Sequence, residues 1–74
     1  MPEFICQLKQ YRVAKGLTQE QLAELVHVRR ETIMRLEKAQ YNPSLKLAID
    51  ISRIVEQPIE KLFILTRTPR LGLH

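Results

Sequence analysis

The feature that most constrains this chain is a pair of short helix-forming segments with almost nothing between them. Thr18 followed by Gln21 makes a capping box, in which each side chain satisfies an orphan backbone N–H at the start of a helix. Leu17 before the cap and Leu22 inside the helix give a hydrophobic staple. Leu22, Ala23, Leu25 and Val26 supply an apolar side, which predicts a helix over residues 19–26. A second helix opens near Arg30, carries Ile33 and Leu36 at three-residue spacing, and ends near Lys38. His27 and Val28 form the break. A connection that short holds two helices at a steep angle. His27 stands where the turn needs positive φ, a region that His visits more readily than most non-glycine residues.

The rest of the chain also has helical period. Around residues 3–15, Phe4, Ile5, Leu8, Tyr11 and Ala14 fall near i, i+3, i+4 spacing. Lys15 suits the negative end of that helix, and Gly16 suits a left-handed position just past it. Ser44, after Asn42-Pro43, reads as the N-cap of a fourth helix with Leu45, Ala48, Ile51, Ile54 and Val55 as its stripe. A fifth runs from Pro58, near the first helical position, to Phe63. No segment shows a clear period of two. The expected architecture is all-α, a compact bundle of five short helices. Residues 1–65 form the domain, and 66–74, with Pro69 and Gly72, form a C-terminal tail.

Charge narrows the function. The chain carries 12 Lys+Arg against 8 Asp+Glu, a net charge of +4. From Val28 to Lys46, Arg29, Arg30, Arg35, Lys38 and Lys46 face Glu31 and Glu37, so five minus two places +3 in about one quarter of the sequence. Arg29 and Arg30 open the third helix, where a cation opposes the macrodipole at roughly 0.3–1 kcal/mol each. An Arg at the cap also forgoes the usual side-chain hydrogen bond. Phosphates relieve both costs at a helix N-terminus, and Arg reads guanine in the major groove. Double-stranded DNA is the partner this pattern favours; a solvated basic edge is the plain alternative. No Ser/His/Asp set, carboxylate pair or glycine-rich phosphate loop can be assembled, so neither an enzyme nor a small-molecule substrate is expected. No metal or cofactor is expected either: the single cysteine, Cys6, lies beside Phe4 and Ile5 and reads as a small buried hydrophobe. Nothing resembles a signal peptide or a membrane span, which makes the cytoplasm the expected setting.

Residues 8–63, LKQYRVAKGLTQEQLAELVHVRRETIMRLEKAQYNPSLKLAIDISRIVEQPIEKLF, resemble the Cro and phage-repressor type helix-turn-helix family, also called Xre-like. The resemblance is carried by Leu8, Arg12, the run Gly16 to Ala23, Val28, Thr32-Ile33, Leu36-Glu37, Tyr41 to Leu45, and Ile59 to Phe63. It implies a DNA-binding transcriptional regulator in which Arg30, Glu31, Thr32 and Arg35 read bases. Gln19, Arg29, Lys38, Gln40, Tyr41 and Asn42 would lie against the DNA backbone, with Gln19 also bracing the reading helix. Arg12 and Glu37 match a structural ion pair of the family. Three positions depart from its pattern. His27 replaces a turn glycine, Arg29 a Ser or Thr cap, and Ala39 a glycine after the third helix.

One reading helix makes few base contacts, so specific affinity usually needs two half-sites. A homodimer on a palindromic operator is therefore expected, acting as a repressor by occlusion. Pro58, Ile59, Leu62, Ile64 and Leu65 exceed what one small core can bury and are the expected partner surface. The Phe63-Ile64-Leu65 run could alternatively extend as a pairing strand. The competing functions are a DNA-binding antitoxin or other protein-interaction module, and a helical bundle that uses this fold without DNA.

Overall fold

The computed structural model describes residues 4–65, so the expected tail at 66–74 lies outside the described residues. In chain order the elements are β1 (Phe4–Cys6), α1 (Leu8–Ala14), α2 (Gln19–Leu25), α3 (Arg30–Glu37), α4 (Leu45–Val55), α5 (Ile59–Leu62) and β2 (Phe63–Leu65). The five expected helices are present. Leu8, Leu22, Ile33, Leu36, Ile51, Val55 and Leu62 are wholly or almost wholly buried and form the core that all five helices share.

The chain departs from expectation at its first segment. Residues 4–6 form a strand, and the helix begins only at Leu8. β1 pairs antiparallel with β2, matching Phe4 to Leu65, Ile5 to Ile64 and Cys6 to Phe63. Phe4, Ile5 and Leu8 satisfy a helical spacing on paper, but three apolar residues cannot distinguish helix from strand. The pairing decides it: Phe4 is buried and meets Phe63 edge to face, with ring centroids 5.9 Å apart. Gln7 N then donates to Leu62 O at 2.8 Å, tying the start of α1 to the end of α5. An isolated two-stranded ribbon is marginal in water, so this one depends on the aromatic pair packed on the core. Pro58 is the N-cap of α5 rather than its first residue, with an extended backbone. Ala14 and Leu45, both assigned from spacing to buried stripes, are exposed, Leu45 by 73%.

Helix ends explain the compactness. α1, α2 and α3 all close with paired 6→1 and 5→2 backbone hydrogen bonds around one left-handed residue. Leu17 N reaches Arg12 O and Gly16 N reaches Val13 O; Val28 N reaches Ala23 O and His27 N reaches Glu24 O; Gln40 N reaches Arg35 O and Ala39 N reaches Leu36 O. Glu56 ends α4 in the same conformation. The positive-φ residues are thus Gly16 (72°), His27 (60°), Ala39 (57°) and Glu56 (59°). His27 has the backbone that the sequence predicts, and Ala39 has the one that suits the glycine it replaces in the family's pattern; Glu56 departs from expectation, since only Gln57-Pro58 marks a break there. Leu17 and Val28 then turn inward against the core, which fixes the exit of each chain segment.

Left-handed backbone costs a residue with a Cβ about 1–2 kcal/mol. Ala39→Gly should therefore raise stability by about 1 kcal/mol, and Gly16→Ala should lower it by a similar amount. A Cβ at Gly16 meets nothing within 4 Å, so that loss would be purely conformational. Thermal melts of both variants check this; shifts of the same sign would count against the backbone argument.

Candidate nucleic-acid interface

α2 and α3 form the expected pair, joined through His27 and packed more extensively on each other than any other two elements. Thr18 caps α2 as predicted: its Oγ1 accepts from Gln21 N at 3.0 Å, while Thr18 N donates to Gln21 Oε1 at 2.9 Å. Arg29 caps α3 in an extended conformation with no side-chain hydrogen bond, which leaves the first backbone N–H groups of α3 without a side-chain acceptor.

Ile33 and Leu36 anchor the inner side of α3. With 100° between successive residues, Glu31 and Lys38 fall opposite that anchor, and Met34 and Arg35 flank them. Arg29, Arg30, Glu31, Arg35 and Lys38 are exposed, and none of them forms an ion pair among the described residues. Thr32 is half-buried at the side of the helix. Gln40, Tyr41 and Asn42 are exposed on the loop that follows, with Tyr41 40% accessible. The residues assigned to base and backbone contact thus lie along α3, at its entry and in the following loop.

Gln19 is placed differently from the rest. Its Nε2 donates to Glu37 Oε1 at 3.0 Å, bridging the start of α2 to the end of α3. Glu37 also receives Arg12 Nε at 2.6 Å and Arg12 Nη2 at 3.3 Å, and Arg12 Nη1 donates to Leu17 O at 2.7 Å. The Arg12 and Glu37 side chains are only 8% and 5% exposed. The expected ion pair exists, and Gln19 braces the same carboxylate. The resemblance implies both the Arg12–Glu37 pair and a Gln19 brace on α3, and the structure adds that the two meet on one carboxylate.

Leu62 requires a correction. It was assigned to the partner surface but is wholly buried beneath α5, because a helix of four residues has to spend its one inward side chain on its own core. Ile59 and Leu65 do line an open apolar groove, together with Phe4, Pro43, Leu45, Ala48 and Phe63. Ile64 and its cross-strand partner Ile5 lie on the opposite face of the ribbon, both exposed. Pro58 is exposed at the start of α5 and does not line the groove. Cys6 is half-buried, and burial pushes its thiol above the ordinary range, as suits a small hydrophobe rather than a reactive thiolate. Among the described residues no His, Cys, Asp and Glu cluster could hold a metal ion, and no helix is long and apolar enough to cross a membrane.

Comparison with known proteins gives one consistent result. A family model described as helix-turn-helix matches residues 8–62. The chain is 54% identical over 57 residues to an uncharacterized HTH-type transcriptional regulator of Archaeoglobus fulgidus, covering 77% of this chain and 81% of that protein. It is 49% identical over 57 residues to the uncharacterized HTH-type transcriptional regulator MJ0272 of Methanocaldococcus jannaschii, covering 77% and 86%. Among solved structures it is similar to the restriction-modification controller protein C.AhdI of Aeromonas hydrophila, with a TM-score of 0.68, 34% identity, and coverage of 76% and 85%.

Removing one member of a buried ion pair strands the other, at a cost of about 3–5 kcal/mol. Arg12→Met alone should lose stability in that range, because Glu37 keeps only Gln19. Arg12→Met combined with Glu37→Met should lose clearly less than the sum of the two single variants. Urea unfolding provides the comparison; strictly additive losses would mean the two side chains are not coupled.

Proposed function

This chain belongs to the helix-turn-helix family of the Cro and phage-repressor type, a family of DNA-binding transcriptional regulators, and we propose that it reads operator DNA through α3 as a homodimeric repressor. The observation that carries the reading is the exposed face of α3, where Arg30, Glu31 and Arg35 project while Ile33 and Leu36 are locked in the core. An α-helix fits the major groove of B-DNA, and Arg there donates to guanine O6 and N7. Glu31 accepts from cytosine N4 or positions Arg35, and Thr32 lies beside a phosphate or a thymine methyl. Arg29, Lys38, Gln40, Tyr41 and Asn42 meet the phosphates on either side. Gln19 contributes the second proton of its amide to a phosphate while holding Glu37 with the first. The open N–H groups at the start of α3 suit a phosphate for the same electrostatic reason that they disfavour Arg29 and Arg30.

Two copies join through the apolar groove at Ile59 and Leu65, with Leu45 and Phe63 adding to the surface, while Ile64 on the other face of the ribbon and Pro58 stay outside it. Leu45 and Leu65 are 73% and 67% exposed in the monomer and line the same groove, so a second copy would cover both together. Two-fold symmetry sets the reading helices about 34 Å apart, one turn of DNA, and makes the operator palindromic. A dimer seated in the groove covers the DNA that it binds, so repression by occlusion is its direct consequence, in the cytoplasm where that DNA is reached. The likeness to a restriction-modification controller protein supports a regulatory role.

Arg30→Ala should weaken binding to the preferred DNA by about 1–3 kcal/mol per half-site and relax one base preference. Equal losses on preferred and scrambled DNA would assign Arg30 to phosphate alone. Wild-type affinity should fall with salt at a log–log slope of about −0.9 per phosphate neutralised. Leu65→Lys should shift the protein to monomer in sedimentation equilibrium while its circular dichroism spectrum stays helical, and an unchanged mass would sink this interface.

A further inference from the structure

Met34 is the one apolar side chain in a shallow hollow otherwise lined by Glu31, Arg35, Lys38 and Gln40. It is half-buried, whereas the core-facing residues of α3, Ile33 and Leu36, have no accessible surface. The helical wheel explains the difference. Met34 lies 100° from Ile33 and within about 60° of both Glu31 and Lys38, on the flank of the outward face opposite Arg35. Its position three residues after Glu31 and four before Lys38 makes it their neighbour on the helix surface. An apolar group in that place gains nothing from the surrounding charges and stays partly in contact with water.

We propose that Met34 is a specificity-determining residue that packs its thioether against the C5-methyl group of a thymine; this rests on α3 entering the major groove. The thymine methyl is the one apolar group that the four base pairs display on their major-groove edges. Every other feature there is a hydrogen-bond donor or acceptor, which a thioether can scarcely use. Met is also long, unbranched and polarisable, so it can follow a methyl group whose position shifts with local DNA geometry. α3 therefore combines two kinds of readout. Arg30, Glu31 and Arg35 recognise polar base edges, and Met34 distinguishes thymine from cytosine at a neighbouring pair through a contact that salt does not screen.

The test needs only the full chain and DNA enriched by it from a random pool. Each thymine of the enriched site is replaced in turn by deoxyuridine, which removes the methyl group and keeps the pairing edge. Dissociation constants are measured with the wild-type protein, Met34→Ala and Met34→Gln, and melts establish that each variant is folded. One thymine per half-site should lose about fourfold in wild-type affinity on replacement, the factor that corresponds to roughly 0.8 kcal/mol for one buried methyl-sized group. Met34→Ala and Met34→Gln should show no further loss at that thymine, while every other thymine behaves alike in all three proteins. Deoxyuridine effects of equal size in wild type and both variants at every position overturn the Met34 contact and leave the DNA reading intact. Enrichment of no sequence at all overturns the reading of α3 and this contact with it.

Discussion

The Glu37 carboxylate is the point on which the arrangement of the three N-terminal helices turns. It is almost entirely shielded from water and receives three N–H donors, two from Arg12 on α1 and one from Gln19 at the start of α2. A buried charge is tolerated only when it is paired and hydrogen-bonded. Arg12 is equally enclosed, and its remaining contact goes to Leu17 O, in the segment that links α1 to α2. Displacing any of these helices would strand a charge away from water, so the end of α3 is held against α1 and the start of α2. The apolar contacts of Leu22, Ile33 and Leu36 are stronger in sum but less directional, and could accommodate a range of angles. The ion pair and its amide brace select one of them, and with it the direction in which the outer face of α3 points.

Backbone geometry adds a second layer of control. Each of the first four helices ends at a left-handed residue, and only one of the four is glycine. The chain accepts conformational strain at His27, Ala39 and Glu56 because these turns place Val28 inward, begin the loop after α3, and start the approach to α5. At Glu56 an ion pair helps: Lys15 Nζ donates to Oε1 at 2.6 Å and holds that carboxyl below the usual range. The pair is solvent-exposed, so its contribution is small, but it links the ends of α1 and α4. Helix lengths of seven and eight residues for α2 and α3 leave little margin, since isolated helices this short are unstable in water. Their persistence depends on the caps and the shared core.

The ribbon of β1 and β2 closes the structure at its other end. By pairing residues that are 57 to 61 positions apart, it joins the start of α1 to the end of α5. Phe4 and Phe63 fill the space beneath, while Leu45, Ile59 and Leu65 remain accessible around the groove. The polar recognition proposed for α3 and the apolar association proposed for this groove thus involve different elements of a very small chain.

Local sequence determined the helices that carry their own start and stop signals. The capping box at Thr18, the Ser44 cap, Gly16 and the apolar spacing of α2, α3 and α4 act over three to five residues, a range at which side chains compete directly for backbone groups. The charges on the exposed face of α3 were legible for the same reason, since exposed residues on one short helix keep the order in which they are written. Tertiary structure alone decided what required distant partners. Phe4–Cys6 became a strand because Phe63–Leu65 lay across from it, Leu62 went inward because α5 has only one side to bury, and the brace expected of Gln19 took Glu37 as its partner only because the turn at His27 folded α3 back. These outcomes depend on contacts between residues far apart in the chain, and no local propensity encodes them.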